Sequence, residues 1–308
     1  MATPVVESEV VRVRVAGKVN LALRSGPRRA DGYHTLSTVF QAVSLFDEVE
    51  ATWAEPGQVT VKVLGDQAHL VPVGEQNIAV KAARLLAATA GADRPLGASL
   101  VIRKAIPVTG GMAGGSADAA GALLACAVLW DLDISPDELR DLGAQLGADV
   151  PFCLAGGTAL GTGRGDQLAP VLSRGSYHWV LAFSDGELST PAVFGKFDEL
   201  GLGDEHPEVP AELLNALVSG DAPALGRCLT NDLQAAALEL RPQLGQLLEA
   251  GNELGAVGAI VSGSGPTIAF LAANESAAVD LSVKLSSEGM CRSVKRVTGP
   301  VPGARLVV

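Results

Sequence analysis

Aromatic residues are scarce in this chain: they make up 4% of 308 residues, as seven Phe, three Trp and two Tyr. Its core must therefore rest on aliphatic packing, and hydrophobic residues supply that at 48%. Basic residues are also short, with 23 Lys and Arg against 34 Asp and Glu, a formal charge of −11. So acidic a chain is not expected to dock broadly on nucleic acid or anionic membrane, although a local basic pocket for phosphates is still allowed. Long apolar runs are missing. The longest, near Ala119–Trp130, falls short of the roughly 20 residues a membrane span requires. The N-terminus (MATPVVESEVVRVRV) has no basic segment leading into an apolar one, so no secretory leader is expected. Cys126, Cys153, Cys228 and Cys291 form no CxxC pair, and the four histidines show no HxH or HxxxH spacing. Reduced thiols in a cytoplasmic protein are expected, with no dedicated protein metal site.

What the chain has in quantity is glycine and alternating or periodic apolar residues. VRVRV (Val11–Val15) and VTVKV (Val59–Val63) alternate as half-buried strands do. Asn77–Ala90 has helical spacing, with Asn77 as N-cap and Gly91 as stop. Ala98–Ala105 reads as a strand, and a helix is expected from about Ser116 to Trp130. Ser135-Pro136-Asp137-Glu138 is a capping box with proline at the first helical position. Trp179–Phe183 reads as a strand, 197–210 as an exposed and mobile acidic loop, and Ala211–Gly251 as helical. Ala256–Leu271 reads as two strands joined by a glycine turn. Strands and helices mix without a strict βαβ rhythm, so the class is α+β, and the length suits about two domains.

The segment Ile106–Ala120 (IPVTGGMAGGSADAA) places four glycines directly before that helix. Glycine permits positive φ and close backbone approach, and a helix start offers free N–H groups and a positive dipole end to an anion. A Walker loop is excluded because no lysine follows the glycines, and a Rossmann fingerprint is excluded by the GGxxGGS spacing. From these residues alone, a phosphate cradle and an ordinary structural turn both stay open. Gly161–Gly165 (GTGRG) lacks a following helix pattern and is read as a β-turn.

Two further stretches bear on the choice. Ala16–Leu23 (AGKVNLAL) leads into Arg28–Phe40 (RRADGYHTLSTVF), and Val261–Thr267 (VSGSGPT) lies near the other end. With the central loop, in this order, they resemble the three motifs of the GHMP small-molecule kinases. GKVNLxL followed by DGYH resembles the branch that acts on 4-diphosphocytidyl-2-C-methylerythritol in the non-mevalonate isoprenoid pathway. Leu146–Phe152 (LGADVPF) and Leu188–Phe194 (LSTPAVF) extend the match over nearly the whole chain.

The resemblance implies a fold, a reaction and a set of residues. The fold is a two-domain α+β GHMP kinase. Residues 1–170 would form a ribosomal-protein-like domain carrying the phosphate loop, and residues 171–308 a ferredoxin-like one. ATP, with Mg²⁺, would donate its γ-phosphoryl group to the 2-hydroxyl of the cytidine diphosphate-linked acceptor. Lys18 and Asp149 match the catalytic pair, although each also reads as a surface or helix-end charge. Pro107, Gly110, Gly111, Met112, Ala113, Gly114, Gly115 and Ser116 would hold ATP, with Lys104 beside it or merely exposed on its strand. Tyr33 and His34 would hold the cytosine, with Phe194 closing its other face. Asn20 and Thr190 would lie near the methylerythritol end, or be satisfied polar caps. Asp118 is left open between holding Mg²⁺ and ordering the loop. No nucleic-acid or membrane partner is expected, and the chain would be a monomer or weak homodimer. The rivals are a non-catalytic nucleotide-binding relative, against which Lys18 and Asp149 speak, and an NAD-dependent oxidoreductase, against which the glycine spacing speaks.

Overall fold

The structure, a computed structural model, describes residues 10–91 and 95–307. Most of the segment that bears on a leader, residues 1–9, lies outside it. The chain opens with an antiparallel ribbon of β1 (Val11–Arg28) and β2 (His34–Trp53). β3 (Val59–Gly65), α1 (Ile78–Thr89) and β4 (Ala98–Lys104) follow, and β4 joins β2 to β3. Next come α2 (Gly114–Leu129), α3 (Pro136–Leu146), α4 (Val150–Ala155) and the hairpin of β5 (Thr158–Thr162) with β6 (Gln167–Pro170). β7 (Tyr177–Phe183) leads to the helices α5 (Thr190–Glu199), α6 (Ala211–Ser219) and α7 (Ala222–Cys228). After β8 (Thr230–Asn231) come α8 (Gln234–Leu240) and α9 (Gln243–Glu253). The chain finishes with β9 (Gly258–Val261), β10 (Ile268–Ala272), α10 (Glu275–Glu288), β11 (Ser293–Gly299) and β12 (Arg305–Leu306).

The local signals explain most of these boundaries. Asn77 accepts the Ala79 amide and starts α1, and the Ser135–Glu138 capping box closes both ways at the head of α3. In β1, Val11, Val13 and Val15 point into the core, while Arg12 and Arg14 pair with Glu50 and Glu48 on β2. The sequence did not signal that these two strands run for 18 and 20 residues. Beyond Val15 the alternation ends, because β1 is buried on both faces as far as Leu23. One cover is α2, whose small residues let it approach closely: a Cβ at Gly121 would lie 2.6 Å from Val49. Residues 200–210 form the expected loop, exposed or half-buried throughout, but the start of the 197–210 stretch is helical. Residues 197–199 finish α5, Phe197 is buried, and Asp204 is tied by its amide to the Ser25 carbonyl and by its carboxylate to Arg24. The apolar face of α5 claims Phe197 despite the Gly and Pro that follow.

Among the described residues the strands form two sheets. The first runs β12-β1-β2-β4-β3, with β5 also on β2, β6 on β5 and β8 on β1. The second is antiparallel with order β11-β7-β10-β9. Its strands and helices run β-α-β-β-α-β with spatial order 4-1-3-2, the ferredoxin-like arrangement. The sheets share one apolar cluster, which joins Val15, Leu21 and Leu123 to Trp179, Leu181 and Leu271. Trp179 donates to Gln41 Oε1 at 3.0 Å, a buried polar link between them.

Candidate active site

β1 carries irregularities in its pairing with β2 at Ala16/Gly17 and at Asn20/Ala22. Such bulges re-aim side chains, and here they bracket Lys18 and Asn20, two residues apart and so on one face. Both are buried. Lys18 Nζ donates to Asn20 Oδ1 and to the Gly111 carbonyl, each at 2.7 Å. Asn20 Nδ2 donates to Thr38 Oγ1 at 2.8 Å. Burial pulls the Lys18 pKa below its ordinary value, opposed by the attraction of Asp149 and Cys153. An ammonium has three donors, so Lys18 keeps one for a further partner. Asp149 is the N-cap of α4 and stays half-buried.

The glycine loop locks against the second sheet. Gly111 has φ 71°, and a Cβ there would overlap the Ser262 carbonyl, so only glycine fits. Ser262 Oγ donates to the Gly111 carbonyl at 3.1 Å. That single carbonyl therefore receives Lys18 from the first motif and Ser262 from the third. Asn231 Nδ2 steadies the third motif through the Val261 and Gly263 carbonyls, both at 2.8 Å. The amides of Gly114, Gly115 and Ser116 open α2 and have no intrahelical acceptor, as at any helix start. Met112 is fully buried and gives the cleft no side chain; its carbonyl accepts the Lys18 amide at 3.2 Å. Pro107 is also buried and packs against Gly110, and Ala113 takes φ 61° at the N-cap of α2.

Beneath the loop lies a sealed charge cluster. Lys104 Nζ contacts Asp47 Oδ2 at 2.6 Å, Asp118 Oδ2 at 2.8 Å and the Gly114 carbonyl at 3.0 Å. All three of its donors are taken and its side chain is 1% exposed, so it supports the loop from below and presents no charge to the cleft. The two carboxylates hold its pKa up against burial. Asp118 goes the other way. Burial, with Asp47 nearby, outweighs the attraction of Lys104 and pushes its pKa up to about 7. Its Oδ1 has no hydrogen-bond partner. Asp47 is also bound by the Ala105 and Ile106 amides, at 2.6 and 2.9 Å. Burial raises the Cys126 thiol to about 12 and raises the Cys153 thiol as well.

The far end of the site is built from a turn and a helix. Tyr33 is 54% exposed, and the Arg164 guanidinium lies 5.4 Å from its ring centre. Arg164 stands at the tip of the β5–β6 hairpin, in the turn expected for GTGRG. His34 is buried. It stacks on Phe194 with ring centres 4.5 Å apart, and its Nε2 meets Asp198 Oδ1 at 2.7 Å. Thr190 Oγ1 lies 2.9 Å from Ser264 Oγ, tying α5 to the third motif.

Family models match this architecture twice: the GHMP kinase N-terminal domain over residues 77–157, and the GHMP kinase C-terminal domain over 213–289. A 4-diphosphocytidyl-2-C-methyl-D-erythritol kinase of Mycobacterium avium is 52% identical, over 96% of this chain and 93% of that protein. The chain belongs to the 4-diphosphocytidyl-2-C-methyl-D-erythritol kinase family of GHMP kinases. A relative of the same name from Cutibacterium acnes is 50% identical, over 96% of this chain and 97% of that one. A crystal structure of a 4-(cytidine 5'-diphospho)-2C-methyl-D-erythritol kinase superposes with TM-score 0.74 at 32% identity, covering 93% of this chain and 98% of that one. A homoserine kinase from Cytophaga hutchinsonii gives TM-score 0.77 at 16% identity, covering all of both chains, which speaks for the fold alone.

As a GHMP kinase, the chain joins its three motifs through the Gly111 carbonyl. Sequence reasoning passed over Asp47 and Asp198. Asp47 did carry a signal: it sits in the inward alternation Leu45, Asp47, Val49, Ala51, where an acid is out of place. Asp198 did too, lying four residues after Phe194 and eight after Thr190, on one helical face.

Proposed function

We propose that this chain transfers the γ-phosphoryl group of ATP to the 2-hydroxyl of 4-diphosphocytidyl-2-C-methyl-D-erythritol, in the non-mevalonate isoprenoid pathway. Membership of a family whose relatives carry that substrate in their name supports the acceptor. The observation that carries the chemistry is the meeting of Lys18, the glycine loop and Ser262 on one carbonyl, with Asp149 acting on Lys18.

The glycine loop suits a triphosphate. The free amides of Gly114, Gly115 and Ser116 and the positive end of α2 favour an anion, and Gly110 and Gly111 let the backbone come close. Mg²⁺, bound together with ATP, would offset the charge of its phosphates. Asp149 accepts the proton of the acceptor hydroxyl as that oxygen bonds to the γ-phosphorus. The bond from γ-phosphorus to the bridging oxygen breaks, and ADP leaves. Lys18, with its remaining donor, neutralises charge on the phosphoryl group in flight. The transition state is loose, so positioning and charge dominate over base strength. Asn20 orients Lys18. Tyr33, His34 and Phe194 take the cytidine end and Thr190 the methylerythritol end. Residues 1–170 and 171–308 are the two domains that form the cleft, acting within a monomer or weak homodimer in the cytoplasm.

A coupled assay of ADP release with ATP, Mg²⁺ and the diphosphocytidyl substrate tests this. Wild type should turn over. Asp149→Asn and Lys18→Met should each lower kcat by roughly 100- to 10,000-fold while ATP still binds in calorimetry. Inert wild type that releases ADP with another alcohol would overturn the acceptor and leave the GHMP chemistry standing.

A further inference from the structure

The His34 ring is held from three sides by one helix. Phe194 stacks on its face at 4.5 Å with planes 26° apart, and Phe197 meets it edge-on at 5.9 Å and 76°. Asp198 Oδ1 takes its Nε2 at 2.7 Å. Nδ1 has no hydrogen-bond partner among the described residues. Nor is it one of their sealed, unpartnered polar side-chain atoms, which are Asp118 Oδ1, Ser173 Oγ and Tyr177 OH. Nδ1 therefore reaches the surface. The Asp198 contact is not needed to dock α5, because Val193 and Phe197 already bury fully and Ser189 caps the helix start through the Ala192 amide.

We propose that Asp198 is a positioning residue that fixes His34 in the Nε2–H form, so that Nδ1 is an acceptor matched to the exocyclic amino group of cytosine. The inference rests on the reading of His34 as part of the cytidine end. A carboxylate oxygen accepts, so the hydrogen of this short contact belongs to Nε2. In the neutral ring the other nitrogen then carries a lone pair. Cytosine presents an amino donor where uracil presents a carbonyl acceptor. An Nδ1 acceptor pairs with the first and opposes the second. The chain would thus select its pyrimidine through a residue that never touches it.

Steady-state kinetics and nitrogen-15 NMR of the four histidines test this together, on wild type, Asp198→Leu, Asp198→Glu and His34→Ala. For Asp198→Leu, KM for the cytidine substrate should rise about tenfold, the size of one lost hydrogen bond, with kcat within about twofold. Its preference over the uridine analogue should shrink by a similar factor, and KM for ATP should not move. Asp198→Glu should recover part of the preference. The His34 signals should report Nε2–H in wild type and a mixture of tautomers in Asp198→Leu. Unchanged His34 signals, or a fall in kcat with no change in KM, would overturn the proposal and reduce Asp198 to a helix anchor. Should His34→Ala leave the acceptor KM unchanged, the cytidine reading fails and the recognition half falls with it. The NMR result then still decides whether Asp198 sets the tautomer.

Discussion

At the phosphate end, the loop offers mainly backbone from Gly110, Gly111, Gly114 and Gly115, and the charges of Lys104, Asp47 and Asp118 lie sealed beneath it. At the base end, Tyr33 and Arg164 stand in solvent, and His34 is held by side chains of a single helix. The phosphates of ATP are the same for every GHMP kinase, and amides at a helix start can hold them without any particular side chain. The acceptor differs between branches, and differing side chains can tell one acceptor from another. On the proposed reading, the shared chemistry would sit on a pre-set floor, and the selective chemistry on a turn, a hairpin tip and a helix face.

The comparison breaks most directly at Lys104. Lys104→Met strands two buried carboxylates, and urea denaturation at pH 8 should show a loss of about 4 kcal/mol. An unchanged midpoint would mean that the floor beneath the loop is not built on charge. A smaller effect comes from Asp118. Its folded pKa, about 7, lies above the ordinary value of 3.8, so the folded protein keeps a proton that the unfolded chain releases. Stability from this group is full below pH 4 and is lost as pH rises through 7. Between pH 5 and pH 8 the wild type should lose about 2–3 kcal/mol that Asp118→Asn does not lose. Parallel stability curves for the two proteins would show that Asp118 ionises freely. The smallest effect is expected at the base end. Arg164→Ala should leave stability within about 0.5 kcal/mol, because its pair with Asp166 is a surface one. It should raise KM for the acceptor about threefold, the scale of an exposed cation–π contact with Tyr33. An effect on ATP KM alone would place Arg164 at the wrong end of the site.

Local signals were legible where a few neighbouring residues decide the outcome. The N-cap at Asn77, the capping box at Ser135 and the glycines before α2 all act within one turn of chain. The loop expected at 197–210 holds from 200 onward, but its start was misplaced because the Gly and Pro outweighed Phe197, whose fate depends on what lies across from it. Lys104 was ambiguous for the same reason. As the last residue of β4 it reads equally as an exposed charge or a ligand, and Asp47, 57 residues away, makes it neither.

The sequence by itself determined the α+β class, the helix starts, the phosphate-loop spacing and the family resemblance, since these depend on short-range geometry and on the order of motifs. Only the tertiary structure brought Lys18 to a carbonyl 93 residues away, closed Lys104 between two acids and set Asp198 against His34 across 164 residues. Those pairings follow from burial. Once two sheets and α2 exclude water, an unpaired polar group is costly, so most find a partner wherever the fold places one.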